Sequence, residues 1–282
     1  MSAQDGLPAL RDVIRELSLS ARRSLGQNFL LDFNLTRKIA RAAGPLEGTS
    51  VLEVGPGPGG LTRALLLEGA KRVIAIETDA RCLPALAAIA QAYPGQLELI
   101  EADAKDVDYG RLMLPPPARI VANLPYGVGT HLLVGWLKTS PWPPWFDRMV
   151  LMFQREVADR IVARPGGKDY GRLAVLSQWR TRPRILFTLP ARAFTPAPKV
   201  DSALVELVPK KTPEPVCDVA QLEKVTAATF GQRRKMLRAS LRQIVPDADA
   251  LLLSLGIDPK ARPEELGVAD FCRLANAIKP SR

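Results

Sequence analysis

Residues Arg119 to Tyr126 read Arg-Ile-Val-Ala-Asn-Leu-Pro-Tyr, a short β-branched apolar run that stops at an amide, a proline and an aromatic ring. Ile120, Val121 and Ala122 suit a strand buried on both faces. Pro125 cannot continue a central ladder, so Asn123 to Tyr126 are expected just past the strand's carboxyl end. Ligands of open α/β sheets bind in that place. Asn123 offers an acceptor oxygen, the turn fixed by Pro125 aims main-chain carbonyls such as that of Leu124 the same way, and Tyr126 offers a flat π-face. These groups suit a planar, amine-bearing ring whose amino hydrogens need acceptors. The same four residues also occur in ordinary turns that merely end a strand.

A second group lies upstream. Val51 to Val54 begins a sheet, and Gly55-Pro56-Gly57-Pro58-Gly59-Gly60 follows at once, as needed for a tight strand-to-helix turn that a ligand can approach closely. The spacing satisfies GxGxxG, and Glu77 lies 22 residues after Gly55, at the end of the next strand, where a carboxylate accepts ribose hydroxyls. An adenosine-containing cofactor follows. Pro58 removes an N–H from the turn that would cradle a pyrophosphate, and Glu53 adds negative charge, so a cofactor with a cationic amino-acid end suits the site better than a diphosphate. Asp103 ends a third strand, where it can bond the exocyclic amine of the cofactor's adenine. Gly55, Glu77, Asp103 and Asn123 thus all fall at strand ends of one alternating β/α series and face one crevice.

The remaining composition narrows the classes of function. At 282 residues and 47% hydrophobic, the chain can bury one large domain and a small one. Lys and Arg outnumber Asp and Glu by 39 to 29, which favours an anionic partner, nucleic acid ahead of a membrane surface. Cys82, Cys217 and Cys272 form no CxxC and read as reduced, cytosolic core residues, signalling neither zinc nor a disulfide framework. The single histidine, His131, has no second His with which to build a metal site and is expected in the first turn of the helix after Tyr126. No run approaches a membrane span, and charges from Asp5 to Glu16 interrupt any secretory h-region.

Several elements must position these groups. Leu7, Leu10, Ile14 and Leu17 suggest a short amphipathic helix that either packs on the domain or stays apart from it. A lead-in loop from Ser24 to Leu30 precedes a helix over 34–43. Helices are expected over 80–91, 129–137, 154–163 and 171–180, and strands over 72–76, 97–100, 148–153, 185–189 and 203–208. Phe194 opens a stiff Pro-rich loop that can hold its ring opposite Tyr126 with a base between them, or leave it as a core plug under the loop. Lys210 to Pro215 marks a boundary, followed by helices over 219–230, 234–244, 248–255 and 268–278. In the second of these Arg234, Arg238 and Arg242 recur every four residues opposite Leu237, Leu241 and Ile244, with Arg233 and Lys235 beside its start. That basic stripe is assigned to phosphate contact.

Glu-Val-Gly-Pro-Gly-Pro-Gly at 53–59, Glu77, Asp103 and Asn-Leu-Pro-Tyr resemble the motifs of class I S-adenosylmethionine-dependent methyltransferases. With Gly-Gln-Asn-Phe-Leu at 26–30 and Phe-Thr-Pro-Ala-Pro-Lys-Val-Asp-Ser at 194–202, the chain resembles the small-subunit (16S) rRNA adenine N6-dimethyltransferase family, of the KsgA/RsmA type. The resemblance implies a Rossmann-like α/β methyltransferase sheet with helices on both faces and a small all-α C-terminal domain. Its parts would be an extension at 1–20, a catalytic domain at 21–210 and an RNA-binding domain at 211–282. It implies S-adenosylmethionine contacts from Asn28, Leu30, Glu53, Gly55, Gly57, Glu77, Asp103 and Asn123, catalysis by Asn123, Leu124, Pro125 and Tyr126, and Phe194 opposite Tyr126 across the target base. Arg233, Arg234, Lys235, Arg238 and Arg242 would bind RNA. The expected partner is small-subunit rRNA in an immature 30S particle, met in the cytoplasm by a monomer without metal or membrane. Gly127 to His131 departs from the more polar run of many relatives. A large-subunit rRNA adenine methyltransferase of the resistance type, a NAD-dependent dehydrogenase and a ribosome-assembly binder are the alternatives.

Overall fold

The computed structural model describes residues 5–22, 26–112 and 114–278; Ser24 and Leu25 of the expected lead-in loop lie outside them. The strands are β1 (Phe29–Leu30), β2 (Ser50–Val54), β3 (Arg72–Glu77), β4 (Leu97–Glu101), β5 (Ala118–Asn123), β6 (Arg148–Gln154), β7 (Thr181–Leu189), β8 (Phe194–Thr195) and β9 (Ser202–Pro209). The α-helices are α1 (Leu10–Glu16), α2 (Phe33–Ala42), α3 (Gly60–Leu67), α4 (Leu83–Ala92), α5 (Gly129–Leu137), α6 (Arg155–Val162), α7 (Arg172–Arg180), α8 (Val219–Phe230), α9 (Leu237–Leu241), α10 (Ala248–Ser254) and α11 (Val268–Ala277).

Among the described residues, seven strands form one mixed sheet in the order β4-β3-β2-β5-β6-β9-β7. Strands β2 to β6 pair in parallel and β9 runs antiparallel to β6. The chain winds outward from β2 through β3 to β4, then returns to place β5 on the other side of β2. The strand order therefore reverses between β2 and β5, and the crevice at their carboxyl ends is where such sheets bind ligands. The apolar runs foreseen for β2 and β5 are explained by this central position: Val51, Leu52, Ile120, Val121 and Ala122 are fully buried.

Contact density divides the chain into two compact units. One, comprising residues 1–133, 144–158 and 184–208, holds the crevice. Its core includes Val51, Leu61, Leu65, Val121, Val150, Met152 and Leu204. The other comprises residues 134–143, 159–183 and 209–282. In it Phe230 lies 5.3 Å from Phe271 and 6.0 Å from Tyr170, ring centre to ring centre, tying α8 to α11.

The strand expected over 185–189 begins already at Thr181, and two further features differ from the sequence expectation. The motifs at 26–30 and 194–202 meet as a two-stranded antiparallel pair, Phe29 opposite Thr195 and Leu30 opposite Phe194. The helix expected over 234–244 is regular only from Leu237 to Leu241: Lys235 N closes a turn onto Gln232 O at 2.8 Å, and Met236 is extended at ψ 150°. The N–H groups of Leu237 and Arg238 instead bond the carbonyls of Ala261 and Pro259. That loop satisfies α9's free donors, so no further helical turn is required before it.

Candidate functional site

The carboxyl ends of β2, β3, β4 and β5 open onto one cavity of about 410 Å³. Asn28, Leu30, Glu53, Gly55, Gly57, Glu77, Asp103, Asn123, Leu124, Pro125 and Tyr126 all line it. Its size suits a cofactor-sized ligand.

The glycine-rich turn is shaped by close neighbours. Gly55 and Gly57 have φ of +69° and +55°, which L side chains rarely adopt. A Cβ on Gly55 would stand 3.3 Å from Pro125 Cδ, and one on Gly57 would stand 3.2 Å from the Phe29 ring. The turn is thus closed on one side by the Asn-Leu-Pro-Tyr segment and on the other by β1. Gly57 N donates to Glu77 Oε2 at 2.8 Å, while Thr78 N and Asp79 N donate to Oε1 at 3.0 and 2.8 Å. Three of the carboxylate's roughly four acceptor positions are filled by main chain, leaving one on Oε2 for a ligand hydroxyl. Burial pushes the Glu77 carboxyl above its ordinary value, and these three N–H groups oppose the rise.

Glu53 is 1% exposed and accepts a 2.7 Å hydrogen bond from the Thr62 hydroxyl. Burial pushes its carboxyl up to about 8, against the Thr62 bond and with help from the Glu77 charge. A buried carboxyl of this kind is stabilised in its ionised form by an incoming cation. Asp103, at the rim, sits below the usual carboxylate range because Lys105 N and then Lys105 Nζ bond it, each at 3.0 Å.

Asn123 is the last residue of β5 and pairs in register with Met152. Its Nδ2 donates to the Asn28 carbonyl at 3.2 Å, so the amide is fixed and Oδ1 is the end left to accept. Asn28 Nδ2 in turn donates to Gly26 O at 3.2 Å, which ties the lead-in loop into the same arrangement. Tyr126 shares a 2.6 Å hydroxyl hydrogen bond with Ser202, at the start of β9, and burial raises the phenol above its ordinary value. The acceptor and the ring are both held before any ligand arrives.

The chain matches the family described as Ribosomal RNA adenine dimethylase over residues 18–280. The chain belongs to that family. It is 62% identical to Ribosomal RNA small subunit methyltransferase A of Paracoccus denitrificans over 99% of this chain and 98% of that protein. It is likewise 62% identical to the protein of the same name from Xanthobacter autotrophicus, over 99% of this chain and 96% of that one. A dimethyladenosine transferase from Plasmodium falciparum superposes with a TM-score of 0.73 at 25% identity, covering 84% of this chain and 93% of that one. The 23S rRNA methyltransferase ErmE does so with a TM-score of 0.65 at 28% identity, covering 89% and 99%. This dimethylase is therefore an S-adenosylmethionine-dependent enzyme, and the dehydrogenase alternative falls. The site suits that cofactor: the buried Glu53 carboxyl fits a cationic amino-acid end, Gly55 and Gly57 stand where a Cβ would meet Pro125 and Phe29, and Glu77 keeps an acceptor for ribose.

Phe194 is 3% exposed, belongs to the core cluster with Leu30, Val121 and Leu204, and does not line the cavity, although Leu30, its partner in the β1–β8 ladder, does.

The cations of the second unit differ among themselves. Arg233 donates to Gly167 O at 3.0 Å and lies 3.7 Å from Glu264. Asp249 stands 3.9 Å from Arg238 and 3.4 Å from Arg242, an acidic partner that spacing along the helix did not disclose. Arg234 and Lys235 are exposed and have no ion pair among the described residues. With Met236, Arg238 and Arg242 they line a shallow depression that also takes in Lys260 and Arg262. Those last two cations were missed, since they reach the depression from the 258–262 segment and share no periodicity with α9. Among the described residues no helix is long and apolar enough to cross a membrane.

Proposed function

We propose that this dimethylase methylates the N6 amines of two adjacent adenines in the 3′-terminal hairpin loop of small-subunit (16S) rRNA, each of them twice, acting as a cytoplasmic monomer on an immature 30S particle during subunit biogenesis. The observation that carries the reading is Asn123, whose amide nitrogen is spent on Asn28 O so that its oxygen remains to accept. Full-length identity near 60% to methyltransferases named for the small subunit favours that rRNA over the large-subunit alternative.

Residues 21–210 carry the chemistry in this reading. Glu53, Gly55, Gly57, Glu77, Asp103, Asn28, Leu30 and Asn123 hold S-adenosylmethionine, which when bound supplies an electrophilic methyl group. The amine of adenine is a poor nucleophile because its lone pair is delocalised into the ring. Accepting its two hydrogens at Asn123 Oδ1 and the Leu124 carbonyl favours the pyramidal, electron-rich form of the transition state. Pro125 fixes the turn that aims that carbonyl. Tyr126, held by Ser202, replaces the stacking that the base loses on leaving the RNA. No general base is required, since the methylated ammonium is acidic enough to lose its proton to water. A neutral acceptor at 123 also tolerates a monomethylated amine with one hydrogen left.

Residues 211–282 bind RNA in this reading. Arg234 and Lys235 supply the least compensated charge, Arg238 and Arg242 contribute beside Asp249, and Arg233 chiefly braces the 167 loop.

The test is transfer of tritiated methyl groups to immature small subunits lacking adenine dimethylation, with large subunits alongside. Label on the small-subunit rRNA, mapped to two neighbouring adenines, is the expected result. Label on large-subunit RNA alone would overturn the substrate.

A further inference from the structure

The mechanism leaves a buried ion pair beside the cofactor cavity without a role. Arg63, on α3, is 4% exposed. It donates to Asp5 from Nε at 3.0 Å and from Nη2 at 2.8 Å, and the two side chains are 5% and 3% exposed. Arg63 Nη1 also bonds the Pro8 carbonyl at 2.7 Å, while Tyr93 OH and Leu7 N bond Asp5 at 3.3 and 3.1 Å. Burial opposes ionisation of Asp5, yet the guanidinium and the Leu7 N–H outweigh it and hold the carboxyl below its ordinary range. A pair so desolvated and so fully bonded differs from the loose ion pairs usual in a terminal segment.

What this clasp positions is Leu10. It is the first residue of α1 and lines the cavity with Leu30, Gly60 and Leu61. Leu10 Cδ2 lies only 2.8 Å from where a Cβ on Gly60 would stand, so α1 closes over the first turn of α3. That turn also carries Thr62, the partner of Glu53. Leu7 and Ile14 pack against the core on either side of Leu10. The far end of the segment is fastened too: Arg81 Nη1 donates to Ser20 O at 3.2 Å, and Arg22 N donates to Gln27 Oε1 at 2.9 Å, while Gln27 Nε2 bonds Asp79 at 2.8 Å.

We propose that residues 5–22 form a wall of the S-adenosylmethionine cavity, in which Leu10 is a cofactor-binding residue and Asp5 and Arg63 are positioning residues that hold it in place. The proposal rests on the cofactor assignment of that cavity. An aliphatic side chain at this end excludes water from the Glu53–Thr62 pair, which strengthens the attraction between Glu53 and a cationic ligand group. A Cβ on Gly60 would displace the end of the Leu10 side chain and stand 3.1 Å from the Leu30 carbonyl.

The experiment is calorimetric titration of the whole chain with S-adenosylmethionine and with S-adenosylhomocysteine, comparing wild type, Leu10→Ala, Asp5→Asn, Arg63→Met and the double variant. Leu10→Ala is expected to raise Kd about tenfold, as loss of a partly buried leucine contact implies. It should raise KM for the cofactor far more than it lowers kcat, a split that a purely structural role would not produce. Asp5→Asn and Arg63→Met should weaken binding to similar extents, and the double variant no more than either, as for two ends of one clasp. Equal Kd in Leu10→Ala and wild type would overturn the proposal. Failure of the wild type to bind either ligand would instead overturn the cofactor assignment.

Discussion

The cavity at the strand ends and the basic depression of the second unit, which the proposed function assigns to one polynucleotide reaction, are built in opposite ways. Glu53, Glu77 and Asn123 are held by hydroxyl or main-chain partners within 3.2 Å, and Glu53 and Glu77 are almost wholly buried. Arg234 and Lys235 are exposed and unpaired among the described residues, and Arg238 and Arg242 of the same depression share one aspartate at 3.9 and 3.4 Å. Fixed dipoles act on charge that develops in a transition state. Mobile cations act on phosphates at a distance, with little dependence on geometry. The first region should therefore govern rate and the second affinity.

The largest effect is expected at Asn123. Asn123→Ala removes one of the two acceptors proposed for the amine and should lower the rate of methyl transfer about 10²–10³-fold, in the range seen when one preorganised group at a transition state is removed. Calorimetry should show a much smaller change in cofactor binding. A loss of rate that merely followed a loss of cofactor affinity would blur the distinction between the regions.

Tyr126→Ala should come next, lowering kcat/KM for RNA by roughly 10- to 100-fold, since stacking on an aromatic ring is worth about 1–3 kcal/mol per base. Ser202→Ala frees the Tyr126 hydroxyl and should cost less, because the ring itself remains. Steady-state kinetics on small subunits would show whether that order holds.

A smaller effect concerns protons. Glu53 titrates at about 8 in the cofactor-free chain, so near pH 7 it is mostly protonated. A bound cationic amine favours the carboxylate, and the proton must leave. Binding at pH 7 should accordingly release close to one proton, and affinity should rise as pH climbs toward 8. Calorimetry in buffers of different ionisation enthalpy measures the release directly; Glu53→Gln should abolish it. Release unchanged in that variant would place the titrating group elsewhere.

How much of each region was legible follows the same contrast. Gly55, Glu77, Asp103 and Asn123 each stand at the end of a short β-branched or apolar run, so periodicity along the chain was enough to bring them together. The β1–β8 pair was not legible, because two-residue strands carry no periodic signal and their pairing joins segments far apart in sequence. Phe194, opposite Leu30 in that pair, is buried in the core cluster. The basic stripe was only half legible. Its residues do share a surface, but the regular helix is five residues long, because the N–H groups of Leu237 and Arg238 find carbonyls in the 258–261 loop. Asp249, Lys260 and Arg262 join the same surface through tertiary packing that no spacing rule encodes.

The most direct test is single-turnover methyl transfer to immature small subunits, measured across subunit concentration and at two salt concentrations, for Asn123→Ala and for the Arg234→Ala/Lys235→Ala double variant. The expected result is a clean separation. Asn123→Ala loses maximal rate with its half-saturating subunit concentration unchanged, whereas the double variant keeps its maximal rate, needs more subunits to reach it and shows a shallower salt dependence, by about 0.7 in log–log slope per lost phosphate contact on a single strand. If the double variant lost maximal rate at saturation, or Asn123→Ala lost subunit affinity in proportion to its rate, the division between a rigid catalytic cavity and a mobile binding surface would be wrong.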